Sequence, residues 1–417
     1  MTRTPAAARL PRAFWTYWAG VTLTALGDAA VYVALPFLAL AAHPAGTGGA
    51  GAVGAVVLAG SLPRFLAPLL GALADRLAPR GLLGFSAGVR ALAVAAVGVL
   101  AAHGTLPLAA LLALAFLNGL LSTLAYATGG ALVPRLVAPE GLARANSLNS
   151  GALMGAPLVG YGLGGGLIHL LGAGGTLLAS APLILGLALA ALALPTLPGA
   201  AAGGRVRPLT DLRAGLTVIR RSPLLLALLG MSFALNVAMN VMNVRAPLHM
   251  TTSGQGAPDY AVFEMLISGG VLVGIVLVTP LAARRSLDAL IGAGRWVLVL
   301  GTLGFVFTPV AVWWGAAAVF GLGLGLLEVA ATTRSQQLVP TEMRGRVVGA
   351  LMGVNAFGLT LGAALAARPL GTPALMLGLG AALALLALTW PLALRVNRQR
   401  RDGEVGQVRP AECGIKQ

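Results

Sequence analysis

Apolar residues in this chain come in long unbroken runs, and no other feature limits its fold so sharply. A helix rises 1.5 Å per residue, so crossing a hydrocarbon layer takes about 20 apolar residues. Runs of that length lie near residues 14–41, 50–73, 81–102, 105–129, 147–171 and 173–196. After a polar stretch they resume near 223–250, 259–283, 287–308, 310–333, 347–368 and 371–394. Of 417 residues, 58% are hydrophobic and only 10% charged. A water-facing surface calls for roughly 25% charged residues, so most of this one must face a solvent other than water. The 58 glycines and 25 prolines agree: in lipid, Gly brings helices close and Pro is tolerated where neighbours re-satisfy the freed carbonyl. The expected fold is an all-α integral membrane protein of about twelve transmembrane helices. The first run follows Arg3, Arg9 and Arg12 but exceeds the roughly 7–15 apolar residues of a cleaved signal, so it reads as a retained span.

The net charge of +16 would suit a nucleic-acid partner, but its placement argues otherwise. With an even number of spans both termini share one side, and all but five of the 28 Lys and Arg fall on it. The five are Arg64, Arg90, Arg245, Arg295 and Arg368. Such asymmetry predicts cytoplasmic termini by the positive-inside rule, with the excess charge meeting anionic lipid headgroups rather than nucleic acid. A single cysteine, Cys413, excludes a disulfide framework, and the scattered His43, His103, His169 and His249 form no metal pair.

The chain divides in two. Residues 1–198 form the first six-span half, and 199–222 a linker ending in an amphipathic helix on the membrane surface. Residues 223–395 form the second half, and 396–417 a polar tail expected to be disordered. After span four stands VAPEGLARANSL, with Glu140 and Arg144; after span ten stands VPTEMRGRVVGAL, with Glu342, Arg344 and Arg346. Glu140 to Glu342 and Arg144 to Arg346 are both 202 residues apart, and Arg90 and Arg295 are 205 apart. A repeat of half the chain is the mark of duplicated transporter folds, here two pseudo-symmetric six-helix bundles.

The loop after span two reads GALADRLAPR. Gly71, Asp75, Arg76 and Arg80 match Gly-x-x-x-Asp-Arg-x-x-x-Arg, and the loop resembles motif A of the major facilitator superfamily. Local chemistry suits such a latch: Gly71 permits close helix approach, Asp75 favours a neighbouring helix N-terminus, and the arginines pair with carboxylates or phosphates. The resemblance implies that the cluster holds the two halves together at the cytoplasmic side and breaks on inward opening. An ordinary positive-inside turn is the plainer reading. The second half carries only AARRSLD at 282–288.

Span five contains GALMGAPLVGYGLGGG, in which Gly151, Gly155, Pro157, Gly160 and Gly164 resemble the antiporter motif of family exporters, with Ala156 interrupting its Gly-Pro. A small-residue packing face is the alternative. LGDAAVYVALP, LVPRL and QQLVPTEMRGRV look like the enterobactin-exporter and macrolide-efflux branch. Span four has Asn118–Gly119 where drug–proton antiporters of the family carry an arginine, so that proton relay does not transfer.

Charges within spans cost at least about 2.5–3.5 kcal/mol each and therefore face protein or water. Asp28, at mid-span on a helix that lines the cavity in this superfamily, is the leading candidate for proton coupling or for holding a cationic substrate. A structural pair with Arg64 or Arg90 is the other reading. Glu328 either joins the cavity or pairs with Arg334, and Glu264 in the outer third of span eight is a third coupling candidate. Asn236, Asn240 and Asn243 share a face of span seven, as a polar cavity wall or as interhelical hydrogen-bonding groups.

No GxxxxGK[ST] phosphate loop is present, so an ion gradient is the expected energy source. Together these features imply a non-enzymatic, cofactor-free secondary transporter in a bacterial inner membrane, acting as a monomer on a small molecule and protons. Uptake by the same fold and a non-transporting receptor are the competing readings.

Overall fold

A computed structural model describes residues 10–42, 49–198, 208–340 and 343–408. Glu342 and the first part of the linker lie outside them. The first half comprises α1 (Arg12–Ala42), α2 (Gly49–Ser61), a 3-10 turn (Leu62–Leu66), α3 (Ala67–Arg76), α4 (Pro79–Ala102), α5 (Leu108–Leu136) and α6 (Leu142–Leu192). α7 (Pro208–Arg221) leads into the second half: α8 (Pro223–Thr252), α9 (Ala257–Ala282), α10 (Leu287–Gly304), α11 (Val310–Leu338), α12 (Arg344–Ala366) and α13 (Thr372–Val408). No strand occurs among the described residues.

Eleven helical stretches among the described residues are long and apolar enough to cross a membrane, and one of them supplies two crossings. α6 runs 51 residues, about twice what a span requires, and breaks at Gly172, whose φ of 72° suits a residue without a Cβ. Its two arms return along the same helix. A Cβ at Gly160 would meet Leu26 and Ala29 of α1, while Gly27 of α1 meets Leu183 and Ile184 of the second arm. Span two is also broken, because Pro63 and Pro68 interrupt the ladder between α2 and α3.

Packing repeats between the halves. α1 lies against both arms of α6, as α8 lies against α12 and α13; α5 pairs with α2 and α4, as α11 pairs with α9 and α10. Across the interface the first arm of α6 meets α9, and its counterpart α12 meets α2. Pseudo-two-fold symmetry thus governs both intra-half and inter-half contacts. α7 lies on α12, with Ile219 buried beside Val347 and Ala350. The outer surface of the spans exposes Leu92, Leu170, Val276, Leu300 and Leu385, as a lipid-facing wall should. α13 continues to Val408, beyond residue 396 where the sequence suggested a disordered tail; no proline intervenes before Pro410.

Candidate functional site

A cavity of about 660 Å³ opens between the halves. Its walls come from α1 (Tyr17, Thr24, Asp28), the end of α5 (Ser122, Thr123, Tyr126), the start of α6 (Asn149, Leu153) and the start of α12 (Met352, Asn355, Leu359). α1 begins, α5 ends, and α6 and α12 begin at the face that carries the chain ends. The cavity therefore runs from mid-depth, at Asp28, toward that face.

Asp28 does not stand free there. Arg90 of α4, only 2% exposed, pairs with it, and the same guanidinium donates through Nε to Asn118 Oδ1 at 2.8 Å. Of the two partners foreseen for Asp28, Arg90 occupies the place and Arg64 does not. The matching Arg295 of α10 is fully buried and has no carboxylate partner among the described residues. It donates to the Ala227 carbonyl of α8 at 2.8 Å and to the Leu386 carbonyl at 3.0 Å, and stacks 4.7 Å from the Trp390 ring. In both halves the third-span arginine ties to the first-span helix. Only the first half does so through an acid that reaches the cavity.

The opposite face is shut. Cβ atoms at Gly162 and Gly165 of α6 would lie 3.0 Å from Met265 Sδ and 2.5 Å from Ala261, both on α9, so bare glycine surface lets the halves touch. Gly54 of α2 meets Ala363 of α12 and Ala367 just past its end in the symmetric place. Inside this closed region Tyr32 and Tyr161 pair ring to ring at 5.8 Å, and Phe37 meets Tyr260 at 5.9 Å. Glu264, 5% exposed, is buried next to Tyr260, and its Oε1 lacks a hydrogen-bond partner. No cation pairs with it among the described residues.

The antiporter-like glycines divide by role. Gly160 and Gly164 seat α6 on α1, where a Cβ would approach Leu26 O at 2.7 Å and Ala30 Cα at 2.8 Å. Gly151 and Gly155 meet nothing within 4 Å and line a second, apolar groove with Trp18 and Val159. Pro157 lies inside the α6 helix.

Gly71 has no atom near its Cβ position, and Asp75 is exposed with no ion pair among the described residues, so the motif A loop bridges nothing in this conformation. Arg76 is exposed as well, while Arg80 donates to the Leu194 carbonyl at 3.5 Å and Arg135 to the Pro198 carbonyl at 2.6 Å. Arg334 pairs not with Glu328 but with Asp288, through two bonds of 2.8 and 3.1 Å. Glu328 is exposed and lies off the cavity wall. Glu140 sits in a 3-10 turn before α6 begins and makes no ion pair among the described residues. Arg346 Nη1 reaches Met343 Sδ at 3.6 Å; Arg344 opens α12.

The asparagine stripe of α8 lies off the cavity wall, and of its three residues Asn240 bonds to other helices. Asn240 donates to the Leu359 carbonyl at 2.7 Å and to Ser61 Oγ at 3.2 Å across the halves. Asn243 donates to Asn240 Oδ1, and Asn236 to the Ser232 carbonyl. Asn149 and Asn355 take the cavity positions instead. Sequence reading passed over them because each sits a few residues inside a span start, where polar residues are ordinary.

The family profile described as Major Facilitator Superfamily matches residues 17–363. An uncharacterized MFS-type transporter, y4rN, from Sinorhizobium fredii (strain NBRC 101917 / NGR234), is 30% identical over 270 residues; the match spans 61% of this chain and 63% of that protein's length. Among solved structures, the nucleoside transporter NupG superposes with a TM-score of 0.70 at 16% identity, covering 92% of this chain and 99% of the other. A POT family transporter in complex with a thioalcohol-conjugated peptide gives 0.72 at 13%, covering 93% and 96%. A bacterial homologue of the iron transporter ferroportin, in an inward-facing state, gives 0.70 at 18%, covering 93% and 99%. Duplicated six-span halves, a cavity at their junction and a family match over most of its length place this chain in the Major Facilitator Superfamily.

Proposed function

We propose that the protein exports a small amphiphilic molecule across a bacterial inner membrane in exchange for protons, by alternating access. The observation that carries the reading is a cavity closed on one face and open on the other, between two symmetric halves. Such a site exchanges sides by rocking of one half against the other. The positive-inside distribution supports cytoplasmic chain ends, so the open face here is the cytoplasmic one. Export is supported by the resemblance of Gly151, Gly155, Pro157, Gly160 and Gly164 of α6 to the exporter motif, within a glycine run whose Gly162 and Gly165 lie against α9 in the closed face. Wording similar to the enterobactin-exporter and macrolide-efflux branch points the same way.

Asp28 is the proposed proton site. Its side chain is 33% exposed and reaches the cavity, so it exchanges protons with the open side. Protonation removes the charge that holds Arg90 and loosens α1 from α4, biasing the halves toward the other state. The exposed Asp75 fits the same cycle: its loop latches the halves when the cytoplasmic side closes.

Reconstitution into proteoliposomes tests the scheme. A pH gradient is expected to drive uphill movement of an amphiphilic dye by the wild-type chain, and Asp28→Asn is expected to abolish the uphill component while leaving downhill exchange. Full gradient-driven transport by Asp28→Asn would remove Asp28 as the coupling group. Accumulation in the opposite direction would make the protein an importer.

A further inference from the structure

We propose that the molecule taken by this cavity carries a negative charge, and that Arg64 is the side chain that receives it. The inference deepens the transport reading and rests on it. Two arginines and one carboxylate line the cavity. Asp28 and Arg90 neutralise one another. Arg64 is left with its charge uncompensated: it is exposed to the cavity and makes no hydrogen bond or ion pair among the described residues. Tyr32, the group within its electrostatic reach, is a phenol and offers no negative charge at neutral pH.

An unpaired guanidinium at this depth is costly. Cavity water meets it in the open state. When the halves close around a bound molecule that water is expelled, and an acidic group on the molecule is what restores a partner. Guanidinium matches carboxylate or phosphate oxygens through two parallel bonds, so Arg64 selects a planar or tetrahedral oxyanion.

Its position supports the assignment. Arg64 sits on the 3-10 turn that breaks span two between α2 and α3, and breaks in transporter helices near mid-membrane mark binding sites. Ala67, one turn on, also lines the cavity. The other walls offer neutral hydrogen-bonding groups (Ser122, Asn149, Asn355) beside Leu153, Met352 and Leu359. One spare positive charge and an apolar wall with a few neutral polar groups describe an amphiphilic organic monoanion.

Three probes sharing one ring system test this on the purified full chain: 1-naphthoate, 1-naphthamide and 1-naphthylmethylammonium. Thermal unfolding is followed against probe concentration for wild type, Arg64→Gln and Arg64→Lys. Naphthoate is expected to stabilise wild type saturably and better than the amide or the ammonium. Arg64→Gln is expected to weaken naphthoate at least about tenfold, the scale of one charge-assisted hydrogen bond. Arg64→Lys should keep part of the effect, as a charge without the fork. If Arg64→Gln does not fold, the ranking of the three probes and the Lys variant still decide. Preference for the ammonium, equal response to all three, no response to naphthoate up to its solubility, or unchanged naphthoate affinity in the Gln variant would each overturn the assignment. Naphthoate held by Arg64 but not moved by any gradient in proteoliposomes would keep the anion site and remove the transport reading instead.

Discussion

Arg90 and Arg295 stand at matching places in the two halves, yet only Arg90 has a carboxylate for company among the described residues. Arg295 donates to two main-chain carbonyls and lies over an indole face, an arrangement that fixes helices. Arg90 does the same mechanical work through Asp28 and Asn118, and in doing so holds an ionisable group at the cavity edge. Removing Arg90 alone strands a partly buried carboxylate, which is more damaging than removing the pair. Arg90→Leu is therefore expected to lower the melting temperature more than Arg90→Leu combined with Asp28→Asn. A double-mutant cycle checks this, and strict additivity of the two substitutions would show that the pair is not coupled. Arg90 and Arg295 were visible in the sequence as intramembrane charges, but their partners lie on other helices and no local rule connects them.

At the scale of elements, the glycine run of α6 does two separate jobs. Gly160 and Gly164 seat it on α1 within its own half, while Gly162 and Gly165 face α9 across the halves. A side chain at 165 meets Ala261 at once, so the closed face tolerates no Cβ there without a shift of the helices. Gly165→Leu is expected to favour the state open on that face, raising the labelling of a cysteine placed at Tyr161 by a membrane-impermeant maleimide; unchanged labelling would mean that this contact does not gate. Glu264 lies in the same closed face. Tyr32, Tyr161 and Tyr260 surround it with no cation among the described residues. An uncompensated carboxylate is costly in such a place, whereas water reaching an opened face would solvate it. Glu264→Gln, which removes that cost, is expected to favour the closed state and lower the labelling of the same cysteine at Tyr161; unchanged labelling would mean that Glu264 does not bias the closure.

The molecule as a whole is open toward the face that holds its ends and shut on the other. In a background with Cys413→Ser, single cysteines at Tyr126 and Asn149 should react with an impermeant thiol reagent supplied from the face of the termini. A cysteine at Tyr260, fully buried in the closed region, should not. The reverse pattern would mean that the other state dominates in the membrane.

How much of this was legible beforehand follows from what is local. Span lengths, the two-half repeat and the charge asymmetry depend on hydropathy and spacing along one chain, so the sequence by itself determined an all-helical, twelve-crossing, duplicated transporter architecture. It also marked Asp28, Arg64 and Arg90 as residues that must face something other than lipid. Only the tertiary structure decided which of them meet. It joined Asp28 to Arg90, left Arg64 without a partner in the cavity among the described residues, tied Asn240 of the α8 stripe to α2 and α12 and drew Arg334 to Asp288. Those outcomes depend on how helices rotate about their own axes when they pack. That rotation is set by small-residue contacts such as Gly160 on Leu26 and Gly165 on Ala261, between residues far apart in the chain.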